Sequence, residues 1–411
     1  MESTKVTNPI RFFIQLPKPV RWLVMGMCVN NFGNLIGPFL TIVIVSKFGL
    51  SAATGGIVIS AFGLGSVFSI VAGGYFTDRV GRRNTLLLSL FGGGLLALLL
   101  GTLSSIGFFL AALFLFGFIN ELYRPASFAL FTDLVPSQDR VMALAVVRVA
   151  TNIGITVSML LGGVFLDWNW RYLFWFDGIT TILFGLIVMR LIEEPKSAPR
   201  AQSGSSVIRS LLAPWSDPFF GVFLLGSLIF GAVFMCHLSV IPLTITRAAG
   251  LSNSKLGVLL GISSLMAVVF ELSLTQALLR FKPMAVVTVG AIAAALGLAG
   301  NGLYLNWYWF LAMMVVWTIG EMTTIGRLMA FASEHAPAEQ RGSYLASWQA
   351  TWRAATVLSP LVFLPLYDAV SLEVLSAIIA GAAVPAIVIF LGLNFRQRDV
   401  IEKASLDTLS K

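Results

Sequence analysis

A chain of 411 residues that is 57% hydrophobic and only 11% charged stands far from the roughly 25% charge of a soluble domain and falls in the membrane class. Its net charge of +8 does not signal nucleic acid. With the N-terminus in the cytosol, Lys47, Arg171, Arg247 and Lys255 lie outside, Arg124, Arg148, Arg327 and Arg353 lie within apolar runs, and every other Lys and Arg is cytosolic. That asymmetry is the positive-inside distribution of a multi-pass protein whose basic residues meet anionic lipid.

Residues 1–19 are polar and basic and read as a cytosolic segment. The apolar run that follows is too long for the core of a signal peptide, so it is expected to stay as a span. A span needs about 20 mainly apolar residues. Twelve stretches qualify, at about 20–45, 52–77, 84–104, 106–132, 140–166, 171–191, 218–245, 252–278, 284–304, 308–333, 340–367 and 372–394. Span one carries Asn30, Asn31 and Asn34 near its middle, spaced so that Asn34 lies beside both others on a helix. Three amides there either contact a ligand or bridge to a neighbouring span.

Spans two and three are joined by a tight, densely charged connection, Gly74-Tyr75-Phe76-Thr77-Asp78-Arg79-Val80-Gly81-Arg82-Arg83. This stretch resembles motif A of the major facilitator superfamily, G-x-L-x-D-R-x-G-R-R/K. Gly74, Asp78, Arg79, Gly81, Arg82 and Arg83 match, and Phe76 replaces the Leu. The resemblance covers about residues 20–394. It implies an all-α membrane protein with twelve transmembrane helices in two parallel six-helix repeats. It also implies that Asp78 docks near the cytosolic start of span eleven, while Arg79, Arg82 and Arg83 engage head groups and neighbouring acids.

Span four holds Asn120, Glu121 and Arg124, and a spacing of three lets Glu121 and Arg124 pair within one helix. Arg124 resembles the motif B arginine implicated in proton transfer. Span five carries Arg148 and Asn152. Its Gly154, Ser158, Met159, Gly162 and Gly163 then resemble motif C of the drug:proton antiporter branch, with Ser-Met where that motif has Gly-Pro. Span six has only Asp177, near its outer end. Lys196 to Ser216 is rich in Ser, Ala, Pro and basic residues and reads as a cytosolic linker.

The second half repeats the first at an offset of 201 residues: Gly49-Leu50-Ser51 recurs as Gly250-Leu251-Ser252, Pro136 and Arg140 as Pro337 and Arg341, and Asp167 as Asp368. Parallel six-span repeats follow. The organisation is a cytosolic segment (1–19), a six-helix bundle (20–191), a linker (192–217), a second bundle (218–394) and a cytosolic tail (395–411). The offset maps Asn120 onto Glu321, and Arg148 and Asn152 onto Gln349 and Arg353. Shared polarity at such positions is what a central cavity between the halves requires. His237 in span seven is a further cavity candidate, and Glu321 and Arg353 could pair across spans ten and eleven.

In the superfamily, spans five and eight face each other, so Arg148 and Glu271 form a candidate cytosolic gate; alternatively each is satisfied within its own half. A charge inside a span is expensive and marks a functional candidate. A carboxylate in a low-dielectric, partly wetted cavity holds its proton more tightly than in water, and a nearby arginine loosens it. Glu121, Glu321 and Glu271, with Arg124, are therefore the proton-coupling candidates. Trp168, Trp170, Tyr172, Trp175, Trp307, Tyr308 and Trp309 read as interfacial belts.

Two cysteines in apolar runs and two distant histidines predict no disulfide framework, metal or cofactor and speak against an enzyme. No G-x-x-x-x-G-K-[ST] occurs, which speaks against a primary pump. The chain is expected to be a monomeric, multi-pass protein of the cell membrane with both termini cytosolic. It would work by alternating access, exporting a drug-like or metabolite solute in exchange for protons. Proton-coupled uptake of a small organic solute is the alternative, and a non-transporting receptor or scaffold the third.

Overall fold

The computed structural model describes residues 9–136, 139–193, 212–337 and 340–409. Most of the expected linker lies outside these, and so does everything about Gly74 and Asp78 beyond their helical backbone. All regular structure among the described residues is helical.

A short α1 (Pro9–Gln15) precedes span one, which is two helices, α2 (Lys18–Gly33) and α3 (Ile36–Lys47). Spans two and three are α4 (Ala52–Arg79) and α5 (Arg82–Leu100). Span four is again divided, into α6 (Ile106–Glu121) and α7 (Tyr123–Leu134), followed by α8 (Arg140–Trp168) and α9 (Arg171–Leu191). The second half runs α10 (Pro218–Phe234), α11 (Cys236–Leu243), α12 (Asn253–Leu278), α13 (Pro283–Gly300), α14 (Trp307–His335), α15 (Arg341–Ala369) and α16 (Leu372–Leu409).

Eleven helical stretches among the described residues are long and apolar enough to cross a membrane. The twelfth, α15, is equally long at 29 residues, but its Ser343, Ser347, Gln349, Thr351, Arg353 and Thr356 make it the most polar.

Sequence pattern led to an unbroken helix for every span, and three are interrupted. Two interruptions have a clear cause. Proline lacks an N–H and its ring clashes with the carbonyl four residues back. Pro38 stands four residues after Asn34, where α2 gives way to α3, and Pro125 stands four after Glu121, the last residue of α6. The span-seven break at Met235 is the repeat counterpart of the one at Asn34.

Three glycines occupy the left-handed region that side chains rarely enter. Gly81 has φ 96° and turns the chain between α4 and α5, which explains the second glycine of the motif A pattern. Gly49 and Gly250, the repeat pair, have φ 61° and 64° and end spans one and seven in the same way.

The helices cluster into two compact units. Unit 1 comprises Met1–Phe48, Ala61–Val207 and Ser252–Val268; unit 2 comprises Gly49–Ser60, Ile208–Leu251 and Val269–Lys411. In unit 1, α2 packs on α8 and α9, and α5 on α9. Phe184 is fully buried beside Leu23, Leu90 and Phe131, and a Cβ on Gly26 would overlap its ring. In unit 2, α13 packs on α14 and α16. A Cβ on Gly297 would lie 2.5 Å from the Trp317 backbone nitrogen. Lipid is as apolar as leucine, so close backbone approach at small residues drives such pairs more than transfer from water does.

Candidate functional site

Unit 1 brings span one and span six together through polar groups. The Thr181 hydroxyl oxygen lies 3.0 Å from Asn30 Oδ1 and 3.2 Å from Asp177 Oδ1. Asp177 is only 7% exposed. Gly33, the last residue of α2, lies directly on this cluster: a Cβ there would overlap Thr180 Oγ1 and come within 3.2 Å of the Asp177 Cα. Past Gly33 the helical ladder is interrupted, since Asn34 donates its N–H to the Asn31 carbonyl three residues back and Leu35 to that of Gly33 two back. The Asn31 side chain donates to the Met27 carbonyl at 2.8 Å, and Asn34 is exposed. The three predicted amides thus have three different surroundings.

At the motif A end of unit 1, Arg82 pairs with Asp133 of α7. Arg83 donates from Nε to the Ile192 carbonyl at 2.5 Å and from Nη2 to the Met189 carbonyl at 2.7 Å. A cation on the last carbonyls of α9 complements the negative end of that helix. Arg79 is exposed. Arg124 Nε lies 3.1 Å from Glu121 Oε2 across the kink in span four, with the acid mostly covered and the arginine 68% exposed. The Asn120 carbonyl accepts from Ser89 Oγ at 3.1 Å. Arg148 is exposed and Asn152 half-buried.

At the opposite end of unit 1, Asp167 closes α8 and caps the start of α12. Oδ1 accepts from the Asn253 backbone at 3.0 Å and its side chain at 2.8 Å, while Oδ2 accepts from the Ser254 backbone at 2.9 Å and its hydroxyl at 2.5 Å. Unit 2 repeats this device: Asp368 Oδ2 accepts from the Ala53 backbone at 2.8 Å, at the start of α4. Close backbone approach repeats with it. A Cβ on Gly257 would lie 2.6 Å from the Met159 carbonyl, and one on Gly56 2.5 Å from that of Pro360. The motif C glycines share this packing, with Gly154 against Cys28 and Asn31, Gly162 against Phe39, and Gly163 against Asn253 and Ser254.

Unit 2 gathers aromatic rings where spans seven, ten and eleven meet. His237 stacks on Trp317 at 4.8 Å, and Phe234 lies 5.5 Å from Trp317 and 5.3 Å from Trp352. Trp348 adjoins Trp352 at 5.9 Å. A buried indole N–H normally finds an acceptor. Here those of Trp317, Trp348 and Trp352 have none among the described residues. His237 Nδ1 is engaged with the Phe234 carbonyl at 2.7 Å.

Glu321 is half-buried on α14, with Glu271 on α12 within electrostatic reach. Arg353 is half-buried and Gln349 exposed, both on α15. His335, at the end of α14, lies 3.0 Å from Asp217. Asp217 also caps α10 through the Phe219 and Phe220 N–H groups. Partial burial opposes its ionisation, but hydrogen bonds from His335 and from those amides, with the charge of His335, hold its carboxyl below the ordinary carboxylate range.

Sequence reasoning noted Asp177 without giving it a role and passed over Trp317, Trp348 and Trp352. For Asp177 a signal existed, a carboxylate inside a span with Thr181 four residues on. The indoles could not be told from packing aromatics until their N–H groups were seen to lack acceptors. Among the described residues no group of three or more His, Cys, Asp or Glu is placed to hold a metal ion.

The sequence model of the Major Facilitator Superfamily matches residues 22–360. A Na(+), Li(+), K(+)/H(+) antiporter of Planococcus maritimus is 26% identical over 375 residues, covering 82% of this chain and 87% of the relative. An uncharacterized MFS-type transporter of Bacillus subtilis (strain 168) is 23% identical over 337 residues, covering 79% of this chain and 81% of its own. Among solved structures, the nucleoside transporter NupG superposes with a TM-score of 0.77 at 13% identity, covering 92% of this chain and 99% of that one. A D-xylose-proton symporter superposes with a TM-score of 0.71 at 16% identity, covering 90% and 95%.

Proposed function

This chain belongs to the major facilitator superfamily and is a multi-pass membrane transporter, and from that premise we propose that it exports a drug-like or metabolite solute in exchange for protons. The observation that carries the solute class is the aromatic group of unit 2. Trp317, Trp348 and Trp352 offer buried, unoccupied N–H donors beside the faces of Phe234 and His237. Such a surface suits a planar, largely apolar molecule bearing a few hydrogen-bond acceptors.

Proton coupling is supported by the carboxylates inside the spans. Glu121 beside Arg124, and Glu321 within reach of Glu271, can exchange a proton as their surroundings alternate between wet and dry. The relative that moves alkali cations against protons supports the same energy source. In this reading the protein is a monomer of the cell membrane with both termini cytosolic. Residues 20–191 and 218–394 are its two bundles, and motif A, with Gly74, Asp78, Gly81 and the three arginines, is its conformational control.

The test is reconstitution in vesicles under an imposed pH gradient, with a panel of aromatic and polar solutes, with and without an uncoupler. Gradient-dependent loss of an aromatic solute from the compartment facing the N-terminus, abolished by the uncoupler, is the expected result. Flux in the opposite direction would replace export by uptake. Absence of gradient-dependent flux for every solute would leave a scaffold role.

A further inference from the structure

Asp177 is a carboxylate within a membrane span, 7% exposed, and among the described residues no Lys, Arg or His pairs with it. An unpaired charge in that setting is costly. The charged and titratable groups on the helices around it are engaged or distant. Arg82 is committed to Asp133, Arg83 to the end of α9, Lys47 to the Leu103 carbonyl and the Trp170 ring, and Asp167 to Asn253 and Ser254. On α2, Lys18 and Arg21 sit in the first turn, more than two turns from Asn30, and Cys28 is a half-buried thiol. On α8, Arg148 is exposed and Arg140 stands in the first turn.

The hydrogen bonds pose the same question in local form. Thr181 Oγ1 faces two acceptor oxygens, Asn30 Oδ1 at 3.0 Å and Asp177 Oδ1 at 3.2 Å, yet a hydroxyl carries one proton. If Thr181 donates to Asn30, the contact with Asp177 needs a proton on the acid or a cation at its oxygens. If the Asn30 amide turns to donate instead, the hydroxyl is freed for Asp177, but the carboxylate charge still has no counter-charge.

The repeat shows that helix packing alone does not require this acid. The counterparts of Asn30, Asp177 and Thr181 are Gly231, Ile378 and Ala382, and α10 packs on α16 as α2 packs on α9. What unit 1 adds is a set of side-chain oxygens, the carboxylate, the Thr181 hydroxyl and the Asn30 amide, beside an interruption of the span at Gly33 that unit 2 shares at Met235. Interrupted helices that bring carbonyls to an acid are a recurring way to hold small cations in transporters. The donors are all hard oxygens, which suit alkali or alkaline-earth ions over transition metals, and a single carboxylate balances one positive charge.

We propose that Asp177, Thr181 and Asn30, against the interrupted segment at Gly33–Leu35, form a site that holds either a proton or one small alkali cation of the sodium or lithium class. Entry of the cation releases the proton from the Asp177 carboxyl to water. The O–H bond breaks, the carboxylate keeps the electron pair, and the net charge of the site is zero before and after. Only the consequence for transport rests on the export reading; the exchange itself is read without flux.

The experiment uses the purified full chain in nanodiscs, in weak buffer with a soluble pH indicator, titrated with sodium, lithium, potassium or choline chloride at constant ionic strength. Sodium or lithium should release protons and choline should not. Where the acid is protonated, the half-saturating concentration should rise about tenfold for each unit fall in pH, as competition for one site requires. Asp177→Asn should abolish release. Thr181→Val and Asn30→Ala should each raise the half-saturating concentration roughly tenfold. No sodium- or lithium-specific release from the unmodified protein, or equal release from Asp177→Asn, overturns the site. If Asp177→Asn fails to fold by circular dichroism, unchanged half-saturation in both other variants overturns it instead. Vesicle flux separates the two readings: flux without cation-linked proton release sinks this site alone, and release without flux sinks export alone.

Discussion

The same pair of helices is built twice in this protein with different chemistry at its centre. In unit 1, α2 meets α9 through Asn30, Asp177 and Thr181, and the span breaks beside them. In unit 2, the counterpart positions on α10 and α16 are Gly231, Ile378 and Ala382. There an added Cβ on Gly231 would lie 3.0 Å from the Ala355 side chain and 3.8 Å from the Trp352 ring, both on α15. One backbone scaffold thus supports a polar centre in one repeat and an apolar one in the other. Packing is satisfied either way, so the difference points to what each centre handles.

The sharpest test of that contrast moves the acid across the repeat. Ile378→Asp places a carboxylate in a span whose counterparts of Asn30 and Thr181 are Gly231 and Ala382, and should cost about 3 kcal/mol. Asp177→Asn should change stability far less. Thermal unfolding in detergent compares the two, and equal losses would mean that Asp177 is structural.

Next in size is Gly33→Ala. Its Cβ would meet Thr180 Oγ1 and the Asp177 backbone, and overpacking of that kind costs about 2 kcal/mol. The counterpart in unit 2 is already Phe234, so Phe234→Ala should lose aromatic packing without strain. Unfolding midpoints of both variants measure the asymmetry.

The repeated caps give a finer comparison. Asp167 accepts four hydrogen bonds at the start of α12, and Asp368 accepts one at the start of α4. Asp167→Ala should therefore cost about 1.5 kcal/mol and Asp368→Ala about 0.5 kcal/mol, within the range of N-cap replacements. Amide hydrogen exchange over the first turns of α12 and α4 should show the same order. Equal losses would remove the distinction between the two ends.

The pH-dependent effect belongs to Asp217. Its folded carboxyl titrates below the unfolded one, so the stability it contributes is present above the ordinary carboxylate range and lost as pH falls through the folded value. Asp217→Asn should lower stability at neutral pH by about 1 kcal/mol or less, with the gap closing as the solution is acidified below pH ~4. A gap independent of pH would show that the cap acts without its charge.

Much of this architecture is written along the chain. Apolar runs of membrane length, the motif A spacing and the 201-residue offset led to twelve spans in two repeats. The offset also paired Gly49 with Gly250 and Asp167 with Asp368, positions that share a backbone turn and a capping role. These features are legible because they are local: a helix length, a φ above zero, an acid beside a helix end. The divided spans were less so, although Pro38 and Pro125 each mark the carbonyl that loses its partner. Arg83 matched its motif, but nothing in the motif says that it closes the end of α9.

By itself, the sequence determined the membrane class, the repeat and the family, because hydrophobic length and turn chemistry are properties of neighbouring residues. Tertiary structure decided which polar groups share a site. Asp177 finds Asn30, 147 positions away in the chain, through a hydroxyl 3.0 Å from the Asn30 oxygen. Trp317 and Trp352 reach the same aromatic group from different spans. Such meetings depend on how helix faces rotate against one another, a choice made by glycines and side-chain volumes on both partners at once, which no single stretch of sequence carries.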